Sequence, residues 1–291
     1  MSDRVWLITG ASSGFGSALA EAALAAGDVV VGAARRLERL KEFAGGYPGR
    51  FHPIALDVTD TERAGEVVEE VVDRLGRLDV LVNNAGRTQV GALEETTETE
   101  LRDLFALHFF GPAALTKAAL PHMRWQGSGW VVQMSSVGGQ VTAPGFGAYC
   151  ATKFALEGLT EALSEEVEFA RFLIVEPGAF RTDLFARDAA LFSEPMAEYA
   201  RTVGPTREYV RTGGGAQRGD PAKAAQAIIT AIDSERPPLR LVLGADAIGR
   251  VAARLRAVQS ELGEWQQVGR ATDLENAGPA PEESWAVAWP D

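Results

Sequence analysis

The sequence predicts an α/β fold: a doubly wound, seven-stranded parallel sheet with helices on both faces, in three layers. Three observations carry this. Short, continuously apolar runs of strand length recur up to residue 243. Segments with helical spacing lie between them. The connections are short, and strands that are apolar throughout need cover on both faces, which the intervening helices supply. The 291 residues are 46% hydrophobic and 23% charged, an ordinary globular composition. A chain of this length can bury roughly 75% of its unfolded surface.

The elements follow in order. Residues 5–9 form a first strand, and 14–26 a helix with Phe15, Leu19, Ala23 and Leu24 at helical spacing. Residues 29–33 are a second strand, 36–44 a charged helix, 51–56 a strand and 61–74 a helix. A strand at 78–82 precedes a long helical pattern over 97–123. A strand at 130–134, a helix over 148–168 and a strand at 172–176 come next. Residues 181–220 break the alternation with Pro195, Pro205 and a glycine run, and read as a substrate lid. Asp220 caps a helix that starts at Pro221. A last strand, 239–243, and a last helix, 245–265, follow. Residues 1–275 are expected to form one domain, with 276–291 a flexible tail in which Trp285 and Trp289 could dock.

Charge and composition exclude several function classes. Lys+Arg number 28 against 40 Asp+Glu, a net charge of −12. That argues against nucleic acid and against anionic membranes. No run of 18 apolar residues exists to span a bilayer, and the start has no apolar leader core. The single Cys cannot form an internal disulfide. A cytoplasmic protein is expected. His52, His108 and His122 sit at unrelated positions, so no metal site is expected. Cys150 reads as a small apolar residue.

The turn Thr9-Gly10-Ala11-Ser12-Ser13-Gly14-Phe15-Gly16 joins the first strand to the first helix. Its glycines allow a tight turn and close backbone approach, and the helix then aims free N–H groups at an anion. No Lys follows the last glycine, so the Walker pattern is excluded. The context marks a nucleotide phosphate site. At the end of the second strand a carboxylate would read a free ribose 2′-hydroxyl. Arg35 and Arg36 stand there instead. A guanidinium fork suits a 2′-phosphate, which favours NADP over NAD. Tyr149 and Lys153, four apart at a helix start, share a face. A cation beside a phenol lowers its pKa and equips it to exchange a proton with an alcohol or carbonyl oxygen.

Together the motifs resemble the classical short-chain dehydrogenase/reductase family, over about residues 4–245. The signatures occur in order: the glycine loop, Asp57, Asn83-Asn84-Ala85-Gly86, Ser136, Tyr149 with Lys153, and Pro177-Gly178 with Thr182. The resemblance implies a Rossmann-type fold and hydride transfer between nicotinamide C4 and a substrate carbon. By the same resemblance Tyr149 is the general acid/base, Ser136 bonds the substrate oxygen, and Lys153 holds the nicotinamide ribose. Gly10, Ser12, Ser13, Gly14, Phe15, Gly16, Asp57, Val58, Asn83, Ala85, Gly86, Pro177, Gly178 and Thr182 would bind the cofactor, with Arg35 and Arg36. A homodimer or homotetramer is implied, paired through the helices at 97–123 and 148–168.

Two places depart from the family: the turn over residues 166–172 is tighter than usual, and a catalytic position holds a histidine that could also be a buried core residue. His108 stands where an asparagine usually serves catalysis, as a relay or structural substitute. The substrate should be a hydrophobic ketone or secondary alcohol. Ser136, Tyr149, Val137, Phe146, Phe180, Phe185, Phe192 and Met196 are the expected lining. Two alternatives stay open: an NAD(P)-dependent epimerase or dehydratase, and a catalytically weak cofactor-sensing protein.

Overall fold

Trp6 and Ile8 face one side of the first strand, Val5 and Leu7 the other, and all four are buried. That two-sided burial organises the molecule. The computed structural model describes residues 4–182, 190–213 and 215–274. It divides into two compact units, Met1–Val251 and Ala252–Asp291. The division falls inside the last helix.

In chain order the elements are β1 (Val5–Thr9), α1 (Gly14–Ala25), β2 (Val29–Ala34), α2 (Leu37–Ala44), β3 (Phe51–Ala55) and α3 (Thr61–Leu75). Then come β4 (Val80–Asn83), β5 (Gln89–Val90), α4 (Glu98–Phe105), α5 (Gly111–Gln126), β6 (Trp130–Met134) and α6 (Gly147–Glu166). The chain closes with β7 (Arg171–Pro177), β8 (Leu191–Phe192), α7 (Gly204–Thr212), α8 (Pro221–Ile232), β9 (Arg240–Leu243) and α9 (Ala245–Arg270).

Seven strands form one parallel sheet in the order β3-β2-β1-β4-β6-β7-β9, as the sequence predicts. One face carries Trp6, Ile8, Val80 and Val132 against Leu19 and Ala23 of α1 and Ile228 and Ile232 of α8. The other carries Val5, Leu7, Leu81 and Val131 against Val67 and Val71 of α3 and Leu115 and Met123 of α5. Each such side chain contributes about 1.5–3 kcal/mol on burial. The strand order reverses between β1 and β4, and ligands of such sheets bind beyond the strand ends at that point.

Local chemistry sets the helix boundaries. Asp60 accepts a hydrogen bond from the Arg63 N–H at the start of α3, and Gly76 ends it at φ 79°. Asp220 caps α8 through the Ala222 N–H, with Pro221 in the first turn. Thr97 and Glu100 form a reciprocal box at the start of α4.

Two features depart from the sequence reading. The expected helix over 97–123 is two helices joined by a π-helical turn, Ala106–Phe110. The wider turn shifts the side-chain register and buries His108 to 1% exposure. The segment read as irregular contains a helix, α7, and a short strand, β8. β8 pairs parallel with β5 in a second, two-stranded sheet. Two-residue strands are too short to show a period. Pro205, taken as a loop signal, sits in the first turn of α7, where its missing N–H costs nothing.

In the second unit, residues 253–274 are exposed throughout. The tail expected at 276–291 lies outside the described residues. Among the described residues no helix is long and apolar enough to cross a membrane.

Candidate active site

The glycine loop opens a cleft of about 1000 Å³ over the β1 and β4 strand ends. Gly10 and Gly14 have φ of +66° and +58°, values that disfavour any other L residue. A Cβ on Gly16 would lie 2.4 Å from the Gly10 carbonyl oxygen. Gly16 thus lets the helix close on the loop, while Ser12, Ser13, Gly14 and Phe15 line the cleft. The Ser13 side chain makes no cap to α1, so the N–H groups of the first turn are not taken by it.

Asn84 fastens this loop. Its side-chain amide donates to the Thr9 carbonyl at 2.8 Å, and its backbone N–H to Thr9 Oγ1 at 2.9 Å. Sequence reasoning chose Asn83 for this cluster and passed over its neighbour. Asn83 is the last residue of β4, and its side chain points at Pro112 and Thr116 of α5, 3% exposed. It does not line the cleft, because strand side chains alternate between faces. That period was the available signal for choosing Asn84.

Arg35 and Arg36 line the cleft beyond β2, joined by Arg39, one turn further along the chain. Asp57 and Val58 line it from the β3–α3 connection. Asp57 accepts from the Thr59 N–H at 3.0 Å and the Thr59 hydroxyl at 2.8 Å. Burial raises its pKa, but those bonds, with Arg35 and Arg87 nearby, hold it below the ordinary value. Ala85, Gly86, Pro177, Gly178 and Thr182 complete the lining. Asp246 crowds Gly178, where a Cβ would meet its carboxylate at 2.4 Å.

At the other end of the cleft stand Ser136, Tyr149 and Lys153. Ser136 has extended backbone after β6, and its Oγ accepts from the Gly138 N–H at 3.0 Å. Tyr149 and Lys153 lie one turn apart on α6, with the Lys153 Nζ 5.8 Å from the phenol ring centre. Lys153 donates to the Met134 carbonyl at 2.8 Å. Burial pushes the Tyr149 hydroxyl up to about 12, against a lowering by its hydrogen bond to Ser136. The sequence reading expected a lowered value from the lysine; burial instead sets the direction, and the lowering present comes from Ser136. Burial also brings Lys153 down to about 8, opposed by the charge of Glu157.

Glu157 lies one further turn along α6 and is itself buried, accepting from the Ser135 hydroxyl at 2.5 Å. Burial first, and the neighbouring Glu176 after it, raise its pKa, opposed by Ser135 and Arg240. No local motif marks this acidic pair in the sequence.

His108 bridges two parts of the site. Its Nε2 accepts the Arg87 N–H at 3.2 Å, and its Nδ1 lies 2.9 Å from Thr152 Oγ1. The Thr152 hydroxyl lies 2.7 Å from the Tyr149 carbonyl, which can only accept. These bonds assign the proton to Nδ1, which donates to Thr152 while Thr152 donates to Tyr149. Burial, then Lys153 and Arg87, hold the imidazole well below its ordinary pKa, so it is neutral.

The family model for short chain dehydrogenase matches residues 4–190. The chain belongs to the classical short-chain dehydrogenase/reductase family. Its structure is similar to a short-chain dehydrogenase from Streptomyces avermitilis, 60% identical, with a TM-score of 0.88 over 94% of this chain and 99% of that one. It is 34% identical to the oxidoreductase BOA17 of Botryotinia fuckeliana, over 92% of this chain and 99% of the relative. It is also 34% identical to a 3-ketodihydrosphingosine reductase of Bacteroides thetaiotaomicron, over 84% and 89% respectively. The dehydrogenase/reductase is thus an NAD(P)-dependent oxidoreductase acting at C–O groups.

Of the expected substrate lining, Ser136 and Tyr149 line the cleft. Phe180 is 7% exposed and packs on Phe15 at 5.1 Å, as part of the core. Phe192 and Phe146 pack on the small core formed with Val90 and Val203. Val137 and Met196 do not line the cleft either, and Phe185 lies outside the described residues. Leu107, Met134 and Leu191 are among the apolar residues that line the cleft.

The segment bearing Leu191 is held by a buried ion pair. Arg207 Nη2 meets Glu95 Oε2 at 2.6 Å, with the side chains 7% and 1% exposed. Glu95 also accepts the N–H groups of Ala92 and Met196, at 2.6 and 2.8 Å. Burial raises its pKa, and these donors with Arg207 outweigh that and lower it. Neither residue was singled out in the sequence.

Proposed function

We propose that this dehydrogenase/reductase is an NADP(H)-dependent carbonyl reductase for hydrophobic ketones, running in reverse on secondary alcohols. The convergence of Ser136, Tyr149 and Lys153 at one end of the glycine-loop cleft carries the reading. The residues present fit a dinucleotide: left-handed glycines, a close Gly10–Gly16 approach and lining from the arginines to Thr182. Gly10 to Gly16 would hold the pyrophosphate, Asp57 and Val58 the adenine, and Lys153 the nicotinamide ribose. When bound, the nicotinamide supplies or accepts the hydride.

The chain's own residues manage the proton. A Tyr149 hydroxyl held near 12 is protonated at neutral pH and can donate to the carbonyl oxygen as negative charge develops there. Ser136 orients that oxygen with a second hydrogen bond. Lys153 places positive charge beside the phenol, which favours the phenolate left after proton transfer. His108 is a positioning residue in this reading. Both its nitrogens are engaged, and it ties the backbone after Gly86 to the helix carrying Tyr149.

Arg35, Arg36 and Arg39, with no carboxylate at the end of β2, support preference for the 2′-phosphate. Arg35→Ala should weaken NADPH binding by about 10-fold or more, since a charge-assisted bond is worth ~1.5–3 kcal/mol, and leave NADH nearly unchanged. Titration of both cofactors by fluorescence checks this. Equal weakening of the two would remove the proposed role.

The pH profile follows from the lysine. Lys153 is charged below about 8 and neutral above. The kcat/KM for reduction should therefore be flat from pH 6 to 7.5 and fall through a midpoint near 8. No limb should appear at the ordinary histidine value of ~6.5, because His108 stays neutral. A limb there, absent from His108→Asn, would show instead that the imidazole titrates in the reaction.

The apolar lining, and the keto substrate and reduction named for the Bacteroides relative, support the substrate class. Homo-oligomerisation and a cytoplasmic location belong to the same proposal.

A further inference from the structure

Glu157 lies on α6 one helical turn beyond Lys153 and two beyond Tyr149, so the three share a face. It is 3% exposed, a costly place for a carboxyl unless its oxygens are satisfied. The β6–α6 connection, which carries Ser136, satisfies them. Glu157 Oε1 accepts from the Ser135 hydroxyl at 2.5 Å, and Oε2 from the Gln140 side-chain amide at 3.3 Å. Between those partners lies the tight turn Val137–Gly139. A Cβ on Gly139 would overlap Glu157 Oε1, so glycine makes the room in which the carboxyl lodges. The Gly138 N–H, in the same turn, donates to Ser136 Oγ at 3.0 Å. Glu157 therefore grips residues 135–140 at both ends, from the helix that presents Tyr149.

Charged groups from three further elements face this cluster. Glu176 of β7 is 0% exposed, hydrogen-bonds the Glu157 carboxyl and accepts from Gln140 Nε2 at 3.0 Å. Arg240 of β9 places its Nε 3.5 Å from Glu157 and 3.4 Å from Glu176, and its Nη2 3.2 Å from Glu161 of α6. Three carboxyl groups thus share one guanidinium. The second cation acting on Glu157 is Lys153 of its own helix, whose loss of charge by burial Glu157 opposes. Tyr149 and, from the π-helical turn, His108 are the other titratable neighbours of Lys153.

We propose that Glu157 is a positioning residue for the reduction, clamping the turn that carries Ser136 to the helix that carries Tyr149 and Lys153. This rests on the assignment of those three residues to the chemistry. Loss of the clamp lets Ser136 shift relative to Tyr149, and a misplacement of ~1 Å costs on the order of 10²-fold in rate. Loss of the negative charge withdraws support from the Lys153 ammonium, which then gives up its proton at lower pH.

The test reads kcat, KM and the pH midpoint of reduction, with NADPH affinity by fluorescence and the fold by circular dichroism. Glu157→Gln should lower kcat about 10- to 100-fold and leave the ketone KM and NADPH affinity within a few-fold. Its midpoint should lie roughly one pH unit below the parent's. Glu176→Gln is the comparison. Glu176 bonds Gln140 rather than Ser135 and raises the Glu157 carboxyl, so its removal should leave the midpoint at or above the parent's. If Glu157 were only a core contact, both variants would lose kcat and neither midpoint would move. That result overturns the proposal, as does Glu157→Gln with the parent's kcat and midpoint. Where Glu157→Gln does not fold, Ser135→Ala decides, because it breaks the clamp without removing a buried charge. Lowered kcat with NADPH affinity kept supports the clamp, and kcat equal to the parent's overturns it. Parent-like turnover by Tyr149→Phe would instead sink the underlying assignment, whatever Glu157→Gln does.

Discussion

Tyr149→Phe should lower kcat for carbonyl reduction by about 10²–10⁴-fold, the usual contribution of a positioned general acid, and leave NADPH affinity within a few-fold. The substitution removes one oxygen and keeps the ring, so the packing of Tyr149 against His108 at 5.5 Å and Phe146 at 6.1 Å survives. The Thr152 bond to residue 149 uses the backbone carbonyl and also survives. What is lost is the proton held near the carbonyl oxygen and the bond to Ser136. Single-turnover kinetics with prebound NADPH separates this from cofactor release. Turnover equal to the parent enzyme would mean that another group supplies the proton. Weakened NADPH binding with unaltered chemistry would make Tyr149 a binding residue only.

Glu95→Gln should cost about 3 kcal/mol, the low end for removing one partner of a buried ion pair. The cost arises because Arg207 is left charged with its side chain 7% exposed. Arg207 also donates to the Ser193 carbonyl at 2.8 Å, so the effect falls on the segment that presents Leu191 to the cleft. We expect KM for a large ketone to rise about 10-fold or more, with NADPH affinity unchanged. Proteolysis should become faster between residues 190 and 213. The pH dependence has a defined sign. The Glu95 carboxyl is held below its ordinary value, so its contribution is complete above the unfolded carboxyl range and is lost as pH falls through the folded value. The parent and Glu95→Gln proteins should converge in stability under acid. Replacing Arg207 as well, by methionine in the Glu95→Gln protein, should recover part of the loss, since the uncompensated charge disappears while the glutamine amide oxygen at position 95 still accepts one of the Ala92 and Met196 N–H groups. Equal stability of parent and Glu95→Gln at neutral pH would contradict this account.

The fold and the chemical end of the site were readable because their determinants are local. A strand of five buried residues, a glycine turn and an amphipathic helix occupy 21 consecutive positions, Val5–Thr9 through Gly14–Ala25. Tyr149 and Lys153 are one helical turn apart. Long-range contacts were not readable in the same way. Glu95 and Arg207 are 112 residues apart, and neither belongs to a motif. The aromatic residues assigned to substrate follow from the strand ends and the lid segment, and the sequence does not say which way each ring turns. Phe180 instead turns inward onto Phe15, where a large ring gains most from burial. The choice between Asn83 and Asn84 needed the end of β4 to within one residue, since one step exchanges the core face for the cleft. His108 was visible as an exception, but its meaning depends on Thr152 and Arg87, which only the folded chain brings to its two nitrogens.

The central claim is that this oxidoreductase uses NADP(H) to reduce hydrophobic ketones. The most direct test follows absorbance at the reduced-nicotinamide band, with NADPH and NADH in parallel, over a panel of apolar ketones, aldehydes and diketones, with each product identified. The account predicts NADPH oxidation matched mole for mole by a secondary alcohol, with NADH slower. Isomerised or dehydrated product without net NADPH consumption, or bound NADPH with no chemistry across the panel, would contradict it.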